Sequence, residues 1–187
     1  MRFLTFLLCL VLSLLGIGVL MRTGPSGEVY ANSFKSIDGQ PLPLSQFKGK
    51  AILVVNTASR CGFTRQYAGL EKLYKTYQGK GLVVLGVPSN DFANQEPGTA
   101  HEIKKFCEVN FNITFPMTEK VEVAGDNAHP FFKQVRQEQG FFARPHWNFY
   151  KYLVSRDGHI VNWFPSTTAP DSAKLLKAVE AELAKPK

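Results

Sequence analysis

Hydrophobic and polar residues alternate along this chain in patterns that predict an α/β fold. Ala51-Ile52-Leu53-Val54-Val55 and Leu82–Val87 are continuous apolar runs, typical of buried strands. Between them, apolar side chains recur at helical spacing from about residue 66 to 77. Strand, helix and strand form a βαβ unit with a right-handed crossover, so the sheet is predicted to be parallel here.

Turn and capping signals place the other elements around this unit. Asp38-Gly39 predicts a hairpin before the first buried strand, and Asp157-Gly158 predicts another near the C-terminus. Thr99-Ala100-His101-Glu102 has the capping-box pattern that starts a helix. The remaining helices and strands are predicted at residues 129–140, 149–154, 160–164 and 171–184. The order predicts a thioredoxin-like fold, in which helices flank a central mixed β-sheet.

The N-terminus carries a nearly unbroken apolar stretch from Phe3 to Met21. About 20 apolar residues suffice to cross a bilayer. The segment is therefore either a signal peptide or a membrane anchor. Its length favours the anchor, and so does the long distance to the candidate cleavage site Val29-Tyr30-Ala31. We assign residues 1–23 to this segment, 24–30 to a linker and 31–187 to one domain. The domain is predicted to be exported, to the periplasm or another extracytoplasmic space.

The charge and composition of the chain limit the kinds of partner that it is expected to bind. The net charge of +7 comes from scattered lysines and arginines, so we expect no nucleic-acid binding and a mild attraction to anionic membranes. The four histidines are dispersed, so no metal site is expected. Of the three cysteines, Cys9 lies in the apolar segment, which leaves Cys61 and Cys107 for the domain. A structural disulfide between these two is one alternative in an oxidising compartment.

Cys61 lies at the predicted junction between a buried strand and the helix that follows it. Free backbone N–H groups and the positive end of the helix dipole favour a thiolate at such a place, and Arg60 and Arg65 add positive charge. The alternative is a buried core cysteine, since free cysteine is among the most buried residue types.

Three separated motifs resemble those of glutathione peroxidases. They are Asn56-Thr57-Ala58-Ser59-Arg60-Cys61-Gly62-Phe63-Thr64, Asn94-Gln95-Glu96-Pro97-Gly98 and Trp147-Asn148-Phe149. The resemblance implies a thioredoxin-like fold and a thiol-dependent peroxidase that reduces hydrogen peroxide and organic, including lipid, hydroperoxides through a cysteine sulfenic acid. It also implies no cofactor, with glutathione or thioredoxin as the thiol co-substrate. Cys61 matches the attacking residue, and Trp147 and Asn148 match two of its hydrogen-bonding partners.

The chain departs from the family pattern at two positions. Asp91 stands where the family has a glutamine partner of the thiol, and a carboxylate there opposes ionisation unless it is turned away, protonated or used as a proton acceptor. Glu108 stands at the position of the resolving cysteine that many thioredoxin-dependent members carry, and Cys107 is one residue before it. One residue rotates a side chain by about 100° around a helix, so Cys107 is either a resolving or a core residue.

Two other functions are compatible with the fold. One is a membrane-tethered thiol-disulfide exchange or copper-handling protein, although Cys61-Gly62-Phe63-Thr64 lacks the second cysteine of Cys-x-x-Cys. The other is a binding module that has lost activity, which only Asp91 favours. Compared with tetrameric family members, the segment between His129 and Trp147 is short, so a monomer with an open site is expected.

The anchor interpretation predicts that the full-length chain stays in the membrane fraction. A helix of about 20 apolar residues resists extraction by sodium carbonate, whereas a peripheral protein is released. Fractionation of cells expressing the full-length chain measures this directly. A soluble mature form beginning near Asn32 would identify a cleaved signal peptide instead.

Overall fold

The computed structural model describes residues 28–186. The apolar segment from Phe3 to Met21 lies outside the described residues, so its role as signal or anchor stays a prediction. Within residues 28–186, no helix has the length and apolar character needed to cross a membrane.

A four-stranded mixed sheet forms the centre of the domain, which confirms the predicted class. Its strands are β1 (Ala51–Thr57), β2 (Leu82–Pro88), β3 (Lys151–Val154) and β4 (Ile160–Phe164). They lie in the order β2-β1-β3-β4, with β2 parallel and β3 antiparallel to β1. The last two strands pair antiparallel. The predicted βαβ unit therefore forms the parallel half of the sheet.

Four helices flank the sheet, and a small hairpin precedes it. The helices are α1 (Gln66–Tyr77), α2 (Ala100–Phe111), α3 (Pro130–Gln139) and α4 (Ala173–Leu183). The hairpin pairs residues 33–35 with residues 41–43, around a turn in which Gly39 has a φ of +80°. The Thr99 side chain and Glu102 form the predicted capping box of α2. Most bounds lie within two residues of the predicted ones.

The central strand β1 is buried on both faces, which explains its continuous apolar sequence. Leu53 and Val55 pack into a core shared with α1, α2 and α4. Ile52 and Val54 pack into a second core that includes α3. Side chains alternate between the two faces of a strand, so one apolar run supplies both cores.

Strand directions bring the three sequence motifs to one edge of the sheet. Because β1 and β2 are parallel, the turn after Thr57 and the loop after Pro88 leave from the same edge. The antiparallel β3 begins at that edge, so Trp147 and Asn148, which precede it, lie there too. The fold itself therefore gathers the candidate site.

Candidate active site

Cys61 lies in a tight turn between β1 and α1. The Thr64 hydroxyl accepts a hydrogen bond from the Cys61 N–H at 3.0 Å and donates one to the Ala58 carbonyl at 2.9 Å. The regular helix begins only at Gln66, so the turn, rather than the first turn of α1, surrounds the thiol. The Cys61 sulfur accepts a hydrogen bond from the Phe63 N–H at 3.5 Å and is 8% exposed. This backbone donor and the Thr64 bonds fix the position of the sulfur in the turn.

Asn56, near the end of β1, holds the turn that carries Trp147 and Asn148. Its side-chain Nδ2 donates to the Trp147 carbonyl at 3.0 Å, and its Oδ1 accepts from the Tyr150 N–H at 2.9 Å. Its backbone carbonyl accepts from the Phe149 N–H at 2.7 Å. Asn56 belongs to the first of the three sequence motifs, but the motif alone does not indicate this anchoring role. The sequence feature that could have identified this role is a polar residue at the end of an apolar strand.

Phe149 takes a left-handed conformation between the site and β3. It has a φ of +64° and is fully buried. A left-handed backbone costs a bulky residue roughly 1–2 kcal/mol. The regular strand begins at Lys151, two residues later than predicted, just after this left-handed residue. The surrounding hydrogen bonds and packing hold this strained residue in place.

The two predicted partners of the thiol lie side by side in different surroundings. The Trp147 indole is 37% exposed and packs 5.8 Å from the Phe92 ring, measured between centroids. Asn148 is fully buried, and its carbonyl accepts a hydrogen bond from the Ser166 hydroxyl at 2.5 Å. The Asn148 Nδ2 donates to Gln95 Oε1 at 2.9 Å. Asn148 is thus fixed through both its backbone and its side chain.

A second layer of polar contacts supports the segment around Ser166. The Gln66 side chain donates to the Ser166 carbonyl at 2.6 Å. The Lys151 ammonium donates to the Thr168 carbonyl at 2.6 Å, and burial lowers the pKa of Lys151 to about 7. These bonds fix the backbone of residues 166–168, from which Ser166 reaches Asn148.

The loop after β2 is tied to the residues just before Cys61. The Arg60 N–H donates to the Gln95 carbonyl at 3.0 Å, and the Ser59 hydroxyl donates to Glu96 Oε1 at 2.5 Å. The Lys120 ammonium holds the Glu96 carbonyl at 3.0 Å. Burial raises the pKa of the Glu96 carboxyl. Through this loop the structure links the turn of Cys61 to Asn148.

Asp91 points elsewhere. Its Oδ2 accepts hydrogen bonds from the Val123 N–H at 2.6 Å and the Ala124 N–H at 2.9 Å. An ionised carboxylate is an acceptor only, and two backbone donors satisfy this oxygen. Asp91 therefore anchors the segment at residues 123–124.

Cys107 is buried in the hydrophobic core to which Cys61 also belongs. It is 1% exposed on α2, on the same side of the helix as the buried Ile103. Burial raises the pKa of the Cys107 thiol to about 12. Cys61 and Cys107 are both free thiols in the structure. The helical offset of Cys107 from the resolving position thus coincides with an inward-facing side chain.

Within residues 28–186, no three His, Cys, Asp or Glu side chains are grouped as metal ligands. His129 caps the start of α3, where its Nδ1 accepts a hydrogen bond from the Phe131 N–H at 3.3 Å. Burial lowers the pKa of His129, which keeps the ring neutral for this cap. The chemistry-bearing groups gathered at this edge of the sheet are the Cys61 thiol, the Trp147 indole and the Asn148 carboxamide.

Comparison with known proteins gives a consistent result. The sequence profile described as glutathione peroxidase matches residues 29–136. A glutathione peroxidase-like peroxiredoxin from Chlamydomonas reinhardtii is 46% identical over 158 residues, covering 81% of this chain and 98% of the relative. A hydroperoxy fatty acid reductase from Synechocystis is 45% identical over 159 residues, covering 81% of this chain and 94% of the relative.

Solved structures also resemble this fold. The crystal structure of Trgpx in its apo form superposes with a TM-score of 0.69 at 34% identity, covering 84% of this chain and 96% of that one. A thiol:disulfide interchange protein of the thioredoxin family from Chlorobium tepidum superposes with a TM-score of 0.60 at 18% identity, covering 82% and 94%. The latter likeness concerns the fold alone.

Replacing Asn56 by alanine should destabilise the domain and disturb the site. The change leaves the buried Tyr150 N–H without its acceptor, and an unsatisfied buried group costs about 1–3 kcal/mol in free energy of unfolding. Urea unfolding measures the loss. The matched control is Asn110→Ala, since Asn110 is exposed on α2 and bonds only its own helix, at the Phe106 carbonyl. We expect its effect within about 0.5 kcal/mol, and equal losses in the two variants would contradict the anchoring role of Asn56.

Proposed function

Since this chain belongs to the glutathione peroxidase family and is a thiol-dependent peroxidase of hydroperoxides, we propose that Cys61 is its attacking thiol. The observation that carries the proposal is the environment of the sulfur. It accepts a backbone N–H from Phe63 in a turn that hydrogen bonds link, through Arg60 and Gln95, to Asn148. The thiolate is the nucleophilic form of a cysteine, and this turn holds the sulfur in a fixed position.

The proposed reaction transfers one oxygen atom and balances as follows. The Cys61 thiolate attacks a peroxide oxygen, an S–O bond forms, and the O–O bond breaks. The leaving oxygen takes up the proton that the thiol gave up, so that an alcohol or water departs and Cys61 becomes a sulfenic acid. A reductant thiol then displaces water to form a mixed disulfide, and a second thiol releases the Cys61 thiolate. The hydroperoxide is reduced while two thiols become a disulfide.

The presence of Thr64 argues against disulfide exchange or copper handling as the main function. It occupies the place of the second cysteine in a Cys-x-x-Cys motif, and its hydroxyl closes the turn through Cys61 and Ala58. Without a neighbouring thiol, Cys61 has no partner at the usual spacing for an internal disulfide or a two-sulfur metal site. Peroxide attack needs only one thiol.

For the substrate, we propose that the chain reduces both hydrogen peroxide and fatty-acyl hydroperoxides and prefers the latter. Trp147 is partly exposed, and the preceding segment presents Phe141 and Phe142 to solvent, the latter 74% exposed. The Arg144 guanidinium stacks 4.0 Å from the Phe141 ring centre and adds a positive charge. Apolar rings with a cation beside them suit an acyl chain that ends in an anionic group. The Synechocystis relative, a hydroperoxy fatty acid reductase, supports this choice.

For recycling, we propose that an external thiol, glutathione or a thioredoxin-like protein, reduces the Cys61 sulfenic acid directly. Cys107 is buried, and its raised pKa keeps it protonated at neutral pH. A thiol is a poor nucleophile compared with its thiolate. A structural role for Cys107 in the core is therefore the favoured alternative.

For the setting, we propose an exported domain tethered to the membrane by the apolar N-terminal segment. The support is the length of the run from Phe3 to Met21 together with the net charge of +7, which favours anionic lipid surfaces.

Replacing Cys61 by serine should abolish peroxide reduction while the fold remains intact. A serine hydroxyl is close to a thiol in size but stays protonated at neutral pH, so it cannot attack the O–O bond. Peroxide consumption is measured with purified wild-type and Cys61→Ser proteins, with glutathione or thioredoxin as the reductant. Circular dichroism of the two proteins checks the fold.

The same assay separates the alternatives. Hydrogen peroxide and linoleic acid hydroperoxide are compared as substrates, and we expect the fatty-acyl hydroperoxide to react with the higher kcat/KM. Wild-type turnover by Cys61→Ser would overturn the assignment of the thiol. Equal or better turnover of hydrogen peroxide would overturn the substrate proposal alone.

Cys107→Ala should lower stability and leave turnover with small thiols nearly unchanged. Removing a buried sulfur leaves a small cavity in the core near α2, and deleted core atoms destabilise the fold. Mass spectrometry of wild-type protein, alkylated after one equivalent of peroxide, should find oxidised Cys61 and reduced Cys107. A dominant Cys61–Cys107 linked peptide would show instead that Cys107 resolves and that α2 unwinds to allow it.

A further inference from the structure

The imidazole of His129 joins the N-terminal hairpin to α3. It caps the start of α3, where its Nδ1 accepts a hydrogen bond from the Phe131 N–H at 3.3 Å. Its Nε2 lies 3.0 Å from the carbonyl oxygen of Ser33, on the first strand of the hairpin. The ring also stacks on Phe34, with 3.8 Å between the ring centroids and 9° between the ring planes. One side chain thus holds two separate parts of the chain together.

These contacts require one form of the ring. A neutral imidazole has one N–H donor and one acceptor nitrogen. Because Nδ1 accepts from the Phe131 N–H, the proton belongs on Nε2, which donates it to the Ser33 carbonyl. A protonated ring carries a proton on both nitrogens and has no acceptor left for the Phe131 N–H. Only the neutral ring therefore makes both bonds.

The position of the ring also opposes its protonation. The N-terminus of a helix carries a partial positive charge, which repels an imidazolium. Burial acts in the same direction and lowers the pKa of His129. The stacked face of Phe34 favours a cation, but it does not replace the acceptor that the Phe131 N–H loses.

The charged groups around the ring leave it without a carboxylate partner. Lys35 from the hairpin and Glu119 from the segment before α3 line the same groove as the ring, and their charges are opposite. Glu122 and Lys133 form hydrogen bonds with His129 through the backbone alone, at 2.9 Å and 3.3 Å. Among residues 28–186, both hydrogen-bond partners of the ring nitrogens are backbone groups. No ion pair therefore stabilises the protonated form.

A second hydrogen bond between the same two parts of the chain does not titrate. Asn32, just before the hairpin, donates from Nδ2 to Gln134 Oε1 on α3 at 2.8 Å. Among residues 28–186, this bond and the bond from His129 to Ser33 are the hydrogen bonds that join residues 28–43 to α3. Carboxamides do not ionise, so acid acts on this junction through His129.

We propose that His129 is a pH-sensitive latch: the neutral ring holds the hairpin of residues 33–43 against the start of α3, and protonation loosens this contact. The hairpin lies between the apolar N-terminal segment and the central sheet in the sequence. The latch thus controls how firmly the domain holds the part of the chain that leads to that segment. The inference does not depend on the role of Cys61, because no residue of the latch belongs to the candidate active site.

Proton linkage gives the direction of the effect. With the latch open, His129 titrates near its ordinary pKa of about 6.5. With the latch closed, its pKa is lower. The open form therefore binds more protons, so the open fraction rises by up to about tenfold for each pH unit below about 6.5. The rise ends at the pKa of the closed form, below which both forms are protonated.

Hydrogen exchange of the full-length chain, followed by mass spectrometry and corrected for the intrinsic exchange rate at each pH, measures the latch. In wild type, we expect the protection of residues 33–43 and of the first turn of α3 to fall about threefold or more between pH 7 and pH 5. In His129→Asn, the asparagine still caps the helix but does not titrate. Whatever its protection at pH 7, this variant should lose the pH dependence.

The matched control is His101→Asn. His101 is exposed in the first turn of α2, where Thr99 is the capping residue, so the same change there removes a histidine but no latch. This variant should keep the pH dependence of wild type.

Three results would overturn the inference. One is a wild-type protection that stays constant between pH 7 and pH 5. Another is an equal fall in wild type and His129→Asn, which would place the titrating group elsewhere. The third is an equal fall in the central strand Ala51–Thr57, because the whole domain would then unfold rather than the latch.

Discussion

The hydrogen bonds of one buried asparagine determine the geometry of the site. Asn56 binds the Trp147 carbonyl and the Tyr150 N–H with its side chain and the Phe149 N–H with its backbone. Cys61 follows Asn56 by only five positions, and the central strand fixes the start of that stretch. Asn56 thus fixes the position of the Cys61 turn relative to the turn that carries Trp147 and Asn148. Because Asn56 is fully buried, no water competes for these bonds, and each is costly to break.

This anchor also explains why a strained residue is tolerated next to the site. Phe149 keeps a left-handed backbone although it is bulky, because its N–H is bonded to Asn56 and its ring packs edge-on to Tyr67 at 5.4 Å. The turn aims Trp147 outward and Asn148 inward. One partner can then meet a substrate at the surface while the other stays in a dry, fixed position. A regular strand through residue 149 would alternate the side chains without this sharp change of direction.

The local patterns were sufficient to predict the elements that depend on local forces. The apolar run of the central strand, the helical spacing after Gln66 and the capping box at Thr99 each follow from neighbouring residues, and the structure confirms them. The direction of Asp91 depends on residues 123–124, and the contact of Gln95 depends on Asn148, 53 positions away. Such pairs are decided by packing across the sheet edge, which periodicity along the chain does not report. The same holds for Phe149, whose sequence predicts a strand.

The site has an inner side, which contains the buried Cys107, and an outer side, which borders solvent. On the inner side, its thiol has a pKa of about 12 and lies in a core with Tyr67, whose hydroxyl pKa is also raised well above its usual value by burial. Charge is unfavourable there, so neither group readily becomes a nucleophile. On the outer side, the exposed part of Trp147 borders open solvent. With the attacking role proposed for Cys61, we infer that the hydroperoxide and the reducing thiol both reach its sulfur from the outer side. They react in a fixed order, because the reducing thiol attacks the sulfenic acid that only the hydroperoxide produces. The buried Cys107 thiol on the inner side takes no part in this sequence, so a second reductant thiol from solvent completes it.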